Sequence, residues 1–96
     1  MDTRLEQILN ILKQKLEGVP CTVILFGSRV KGSGSEHSDF DIAIEARGDL
    51  SFPLSLLREE LDQSNIPQKV DLVDLNAASL AFRSAVMREG EILWKT

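Results

Sequence analysis

The chain is organised around three segments: Cys21-Thr22-Val23-Ile24-Leu25-Phe26, then Gly27-Ser28, and later Asp39-Phe40-Asp41-Ile42-Ala43-Ile44-Glu45. The first segment is apolar without alternation, which is typical of a strand that is covered on both faces. The last segment alternates, so it predicts a strand with one apolar face and one acidic face. Between them, Gly27 permits a turn that a residue with a Cβ atom would resist. We therefore expect two strands joined by a turn, a short helix and a polar loop.

The acidic face of the second strand predicts a metal site. Asp39 and Asp41 point to the same side, roughly 6.5–7 Å apart along the strand, and two like charges at such positions repel each other. A divalent cation removes this repulsion and takes oxygen ligands of this kind. A third carboxylate on an adjacent strand would complete the site. Asp71, in the strand-like run 69–75, is preferred over Asp74, for which a helix cap is the alternative role. Two magnesium ions held in this way would clamp the oxygens of a phosphoryl or nucleotidyl transfer.

The Gly27-Ser28 turn predicts a phosphate site beside these acids. Ser28 can cap a helix that begins at Arg29, which leaves backbone N–H groups facing an anion. Its hydroxyl can also donate to a phosphate oxygen. Arg29 and Lys31 add positive charge, although Arg29 is alternatively an ordinary solvated helix residue. Gly27, Ser28, Arg29 and Lys31 are therefore the candidate nucleotide-binding residues.

These residues resemble the nucleotidyltransferase superfamily of DNA polymerase beta type, and more closely its minimal nucleotidyltransferases, which are often paired with helical HEPN proteins as toxin–antitoxin systems. The resemblance rests on Gly27-Ser28, on Asp39-x-Asp41 after ten intervening residues, and on Asp71 in a later strand. It implies that Gly27 and Ser28 hold a nucleoside triphosphate and that the three aspartates bind magnesium. It also implies AMP transfer from ATP, in the antitoxin case onto a tyrosine of the partner toxin.

Composition limits the alternatives. The length of 96 residues predicts a single domain, 1–96, and 43% hydrophobic residues are enough for one small core. No segment approaches the roughly 20 apolar residues of a membrane helix. The net charge of −4 argues against nonspecific nucleic-acid binding. Cys21 is the single cysteine, so we expect a buried thiol and a cytoplasmic location. A homo-oligomer is left open.

Strands that alternate with helices predict an α/β fold in the order αβαβαβα. We expect a small mixed sheet with helices packed mainly on one face, the acid-bearing face open, and the second and third strands side by side. The predicted elements are a helix from Thr3, a strand at 21–26, a short helix from Arg29, a strand at 39–46, a helix capped by Ser51, a strand at 69–75, and a helix capped by Asn76. In the last helix we expect Leu80, Ala81, Ala85 and Val86 or Met87 to face the core. Residues 92–94 are interpreted as a short terminal extension.

Two further hypotheses stay open. The chain is alternatively a binding module that neutralises a partner by forming a complex, because Ser35 stands where many relatives carry an arginine. Transfer onto RNA or a small molecule is a third possibility, against which the acidic charge counts in the case of RNA. His37, the single histidine, is interpreted as an ordinary loop residue, with a nucleotide contact as the alternative.

Overall fold

A computed structural model describes residues 3–31 and 39–96. Within these ranges the chain forms four helices, four strands and one 3-10 turn. In chain order they are α1 (Thr3–Lys15), β1 (Cys21–Phe26), α2 (Ser28–Lys31), β2 (Phe40–Ala46), α3 (Ser51–Gln63), β3 (Val70–Asp74), the 3-10 turn (Leu75–Ala77), α4 (Leu80–Glu89) and β4 (Glu91–Lys95). The predicted order is confirmed up to α4, and β4 is an additional strand.

The strands form a mixed sheet in the order β3-β2-β1-β4. β1 pairs antiparallel with both β2 and β4, whereas β2 and β3 are parallel. A parallel pair needs a crossover connection, which α3 supplies here. The predictions of a mixed sheet and of adjacent second and third strands are therefore confirmed.

One face of the sheet carries the main core, which α1 and α3 cover. Strand β2 contributes Phe40, Ile42 and Ile44 to it, all almost fully buried, as the alternation of this segment predicts. Both helices add an apolar stripe at helical spacing. The buried residues of these stripes are Leu5, Ile8, Leu9 and Leu12 in α1 and Leu54, Leu57 and Leu61 in α3.

The opposite face, which carries the acids, is covered only at its centre. There Ile24, Ala43, Leu75 and Val86 form a second, smaller cluster beneath the 3-10 turn and α4. The expectation of an open acid-bearing face is therefore wrong for the middle of the sheet. It fails because Ala43 and Ile24 present an apolar patch between the polar ends of the strands.

The C-terminal part of the chain differs most from its prediction. Residues 92–94 belong to β4, which pairs with β1 instead of forming an extension. Asn76 is not the cap of α4, because it lies in the 3-10 turn and its side-chain amide donates to the carbonyl of Ala46. Ser79 caps α4, and its hydroxyl accepts from the N–H of Phe82 at 3.2 Å.

Only part of the predicted inner face of α4 is buried. Val86 packs in the second cluster, whereas Leu80 is 82% exposed, and Ala81 and Met87 are exposed as well.

The predicted cap of α3 is also wrong. Ser51 is instead a donor, since its N–H and hydroxyl both donate to Asp49.

One expectation from composition is met. Cys21 is a buried free thiol, and burial raises its pKa above the ordinary value. Among the described residues, no helix combines the length and the apolar character that crossing a bilayer requires.

Candidate functional site

The candidate site begins with two carboxylates on neighbouring strands. Asp41 of β2 is paired in register with Asp71 of β3. Residues that are paired in register on adjacent strands project from the same face of a sheet. Asp39 lies directly before β2, two residues from Asp41, and its side chain is exposed. The structure thus brings the three predicted aspartates to one corner of the acid-bearing face.

The pKa of Asp41 reflects the charges of the other two aspartates. Its pKa is raised above the ordinary value, first because partial burial disfavours the charged form and then because Asp71 and Asp39 repel it. A site that raises the pKa of a carboxylate in this way is stabilised by a bound cation. Oxygen ligands of this charge suit a hard divalent ion such as Mg²⁺. The donor set therefore fits the ion that the sequence predicts.

The carboxylate of Asp71 has a different neighbour in this arrangement. Its Oδ1 lies 3.5 Å from Nζ of Lys69, whose side chain is exposed, while that of Asp71 is half-buried. Within residues 3–31 and 39–96, no three His, Cys, Asp or Glu side chains converge closely enough to hold a metal ion. The raised pKa of Asp41 nonetheless includes a contribution from Asp71, and charges interact beyond ligand distance. We conclude that the carboxylates are neighbours without forming a closed ligand cage.

Lys69 was missed by the reasoning from sequence. The indication for it was its position two residues before Asp71, which places both side chains on one side of an extended segment. The carbonyl of Lys69 accepts from the N–H of Phe40, so the entry to β3 is fixed against the entry to β2.

Gly27 has two structural roles: it forms the turn after β1, and it lies against the side chain of Asp41. It follows the last residue of β1, Phe26, which pairs in register with Asp41. Its φ of 84° lies in the left-handed region that favours glycine. A Cβ atom at this position would also overlap Oδ2 of Asp41 and lie 3.2 Å from its Cγ. The missing side chain therefore makes room for the carboxylate.

The other candidate phosphate ligands lie in α2, which starts at Ser28 and ends at Lys31. Ser28 is partly buried directly after Gly27. The guanidinium carbon of Arg29 lies 3.8 Å from the centroid of the Phe40 ring, a cation–π contact rather than simple solvation. Binding of nucleotide by Ser28, Arg29 and Lys31 stays a prediction. Ser35 and His37 lie outside the described residues.

Two further acids have other partners. Oδ1 of Asp74 accepts from the N–H of Asn76 at 2.9 Å and so caps the 3-10 turn. Glu45 lies at the far end of β2, where its Oε2 is 2.5 Å from Arg83. The structure therefore favours Asp71 over Asp74 as the third acid and leaves Glu45 out of the site.

Comparison with known proteins identifies the family of the chain. The family model "Polymerase beta, Nucleotidyltransferase" matches residues 6–96. The protein adenylyltransferase MntA of Shewanella oneidensis is 34% identical over 93 residues, which are 94% of this chain and 64% of that protein. The chain spans 60% and 64% of the length of two curated relatives that it matches.

Solved structures of similar chains share this fold. A toxin–antitoxin structure with AMP-PNP superposes with a TM-score of 0.78 at 30% identity, over 99% of this chain and 75% of that one. A tri-AMPylated Shewanella oneidensis HEPN toxin in complex with its MNT antitoxin gives 0.71 at 29% identity, over 97% and 71%. On the family match over nearly its whole length, the chain belongs to the polymerase beta nucleotidyltransferase family.

Proposed function

We propose that this chain is a magnesium-dependent nucleotidyltransferase that moves AMP from ATP onto a hydroxyl of a partner protein. The observation that carries the proposal is the register pairing of Asp41 with Asp71, with Asp39 and Gly27 beside them. Three carboxylates beside a glycine turn suit a nucleotide whose phosphates arrive together with divalent ions.

The chain's own residues have separate tasks in this reaction. Gly27 and Ser28, helped by Arg29 and Lys31, bind the triphosphate and orient it. Asp39 and Asp41 would hold both magnesium ions, and Asp71 would hold one of them. When bound, the ions supply neutralisation of the charge that develops on the transferring group.

The transfer itself balances without another reagent. The acceptor oxygen forms a bond to the α-phosphorus of ATP, and the bond from this phosphorus to the bridging oxygen of pyrophosphate breaks. The proton of the acceptor hydroxyl passes to a carboxylate oxygen of Asp71, which acts as the general base. AMP remains on the acceptor, and pyrophosphate leaves.

A protein acceptor is supported by the relatives. One is named a protein adenylyltransferase, and another match is a complex with an AMPylated HEPN toxin. We therefore infer that the acceptor is a tyrosine of a HEPN-type toxin and that the chain acts as its antitoxin. The buried, unpaired Cys21 supports a cytoplasmic setting.

The test is transfer of AMP to a purified HEPN protein encoded beside this chain, with ATP and Mg²⁺, followed by intact mass measurement. We expect the toxin to gain the mass of AMP, and a tyrosine-to-phenylalanine toxin variant to gain none. Asp41→Asn should abolish the gain. Glu45→Gln is the matched control, because Glu45 lies on the same face of the same strand but contacts Arg83. Equal transfer by wild type and Asp41→Asn would contradict the proposal.

A second function is favoured by the Lys69–Asp71 ion pair, which gives Asp71 a partner without any metal. In that case the chain neutralises its partner by covering it. In the absence of ATP, the wild-type chain and the Asp39→Asn and Asp41→Asn variants would then bind the toxin with equal affinity. Protection of cells by Asp41→Asn, without AMP on the toxin, would identify this function.

A further inference from the structure

A polar cleft lies at the opposite end of the acid-bearing face from the candidate site. Its volume is about 500 Å³, within the range of roughly 300–1,000 Å³ that is usual for small-molecule sites. The start of β1, the ends of β2 and β4, the 3-10 turn and α4 contribute to its walls. The polar residues used in the argument below are Thr22, Glu45, Arg47, Asn76, Arg83 and Lys95.

The cleft is separate from the candidate site. Glu45, which lines the cleft, lies four residues beyond Asp41 on the same face of β2, roughly 13 Å along the strand. The buried cluster of Ile24, Ala43, Leu75 and Val86 occupies the sheet face between them. A nucleotide at the candidate site therefore does not extend across this face into the cleft, and none of the functions assigned above uses it.

The floor of the cleft offers a hydrogen-bond donor. Thr22 of β1 pairs in register with Glu45 of β2 and is only 8% exposed. It lines the cleft, and its hydroxyl forms no hydrogen bond with any residue in the part of the chain that the structure describes. Buried side-chain hydroxyls ordinarily have a partner, so this O–H is available to an acceptor that enters the cleft.

The walls give the cleft a positive charge. Arg83 donates to Glu45 at 2.5 Å, which neutralises that carboxylate and holds the guanidinium beside the cleft. A guanidinium has five N–H groups, so others stay available to a ligand. Arg47 and Lys95 are exposed at the rim and form no ion pair with a described residue. Among the described lining residues, three cationic side chains thus face one carboxylate, in a chain whose net charge is −4.

One wall of the cleft is fixed by a contact within the chain. The side-chain amide of Asn76 donates to the carbonyl of Ala46, which holds the 3-10 turn against the end of β2. Together with the Glu45–Arg83 pair, this contact ties the turn and α4 to the same strand. The cleft is therefore a formed depression and does not depend on a ligand to create it.

We propose that this cleft is a second binding site, for a small dianion of the phosphate monoester class. Such a group carries about two negative charges at neutral pH, which matches the excess of cationic side chains. Arginine matches phosphate oxygens with paired N–H donors, and Thr22 adds a donor at the floor. The volume leaves room for an organic part of about the size of a sugar. The inference is independent of the proposed AMP transfer.

The first test removes the hydroxyl of Thr22. Glucose 6-phosphate is titrated into the protein by calorimetry, in a chelating buffer that keeps divalent ions away from the candidate site. Thr22→Val has a similar shape but no donor, so we expect it to weaken binding about fivefold. Thr22→Ser keeps the donor and should bind within about twofold of wild type.

The second test removes charge from the rim. Arg47→Gln and Lys95→Gln should each weaken binding about tenfold, the scale of a lost charge-assisted hydrogen bond. Arg88→Gln is the matched control, because it removes the same charge from an exposed position on α4 that does not line the cleft. It should bind within about twofold of wild type. Circular dichroism verifies that each variant is folded.

Four results would overturn the inference. The first is wild type that does not bind glucose 6-phosphate. The second is an equal loss in Arg88→Gln, which would reflect net charge alone. The third is a loss in Ser28→Ala without one in Thr22→Val, which would place the phosphate at the Gly27-Ser28 turn. The fourth is tighter binding of a tetraglutamate peptide with the same dependence on Arg47, which would identify a docking surface for acidic protein segments.

The outcome does not depend on that of the proposed function. Wild type that binds glucose 6-phosphate as expected but transfers no AMP would support the second site and reject the nucleotidyl transfer. Wild type that transfers AMP but does not bind glucose 6-phosphate would do the reverse.

Discussion

The two faces of the sheet are built by the same strands but differ in how completely they are buried. The face under α1 and α3 is closed by a large apolar cluster, whereas the described part of the other face has a smaller cluster of four buried apolar residues at its centre. Strand β2 supplies Phe40 and Ile42 to the first face and Asp41 to the second. Alternation along one strand therefore separates the residues that hold the fold from those that we propose carry the chemistry.

The sharpest test of this separation is Asp41→Asn. We expect the rate of AMP transfer to fall about a thousandfold, since the variant loses several kcal/mol of metal-assisted stabilisation of the transition state. The far-UV circular dichroism spectrum should not change. Steady-state transfer to the HEPN protein is the measurement, and Glu45→Gln should keep its rate within about twofold. Unfolding of Asp41→Asn would show that the acid is structural.

The second test compares cavities in the two clusters. Leu57→Ala, in the main core, should lower the free energy of unfolding by about 3 kcal/mol. Val86→Ala, in the smaller cluster, should cost about 1.5 kcal/mol, because less apolar volume is removed and the site is nearer to solvent. Urea denaturation measures both. Equal costs would mean that the smaller cluster is as tightly packed as the main core.

The third test separates the two roles of Gly27. Gly27→Ala places a Cβ atom both at positive φ and against Asp41, whereas Gly48→Ala meets the same backbone strain at φ 91° with no neighbouring atom within 4 Å. Gly48→Ala should cost about 1 kcal/mol of stability, and Gly27→Ala about 1 kcal/mol more. Only Gly27→Ala should slow AMP transfer, because it displaces the Asp41 carboxylate. Equal transfer rates would mean that Asp41 adjusts freely.

The smallest effect concerns pH. The pKa of Asp41 is raised in the folded protein, so its contribution to stability is fully present below the unfolded value of about 3.9 and is lost as pH rises through the raised value. Without divalent ions at pH 7, Asp41→Asn should therefore be more stable than wild type. The gain should be only about 0.5 kcal/mol, since solvent screens the repulsion.

Thermal melts between pH 3 and pH 7 measure this difference, which should vanish at the acid end. Added Mg²⁺ should reverse the order at pH 7, because a ligand that binds only the folded wild type stabilises it by mass action. A higher melting temperature of wild type in the absence of metal would contradict the repulsion.

Much of this arrangement follows from local pattern. The alternation at residues 39–45 predicts that Phe40 and Asp41 lie on opposite faces, and the structure confirms it. The sequence also predicts that the strands carrying Asp41 and Asp71 are neighbours, because both carry acids, but it does not predict that they are parallel. Local sequence is sufficient for the alternation because the period of a strand needs no knowledge of distant residues.

The features that the sequence did not predict depend on contacts between distant parts of the chain. The segment 91–95 is short, and only its pairing with β1 makes it a strand. Which residues of α4 are buried depends on where the helix lies over Ile24 and Ala43, so Leu80 could not be excluded from the core by periodicity. The approach of Gly27 to Asp41 likewise joins the turn after β1 to a residue of β2.

The parallel pairing of β2 with β3 has a consequence for refolding. Asp41 and Asp71 meet only after about thirty intervening residues, including all of α3, have been laid across the sheet. Closure of such a loop costs entropy before any contact repays it, so this junction should form late. Recovery of catalytic turnover after dilution from denaturant would then lag behind recovery of helical signal, and enzymatic assay would report the final step of assembly.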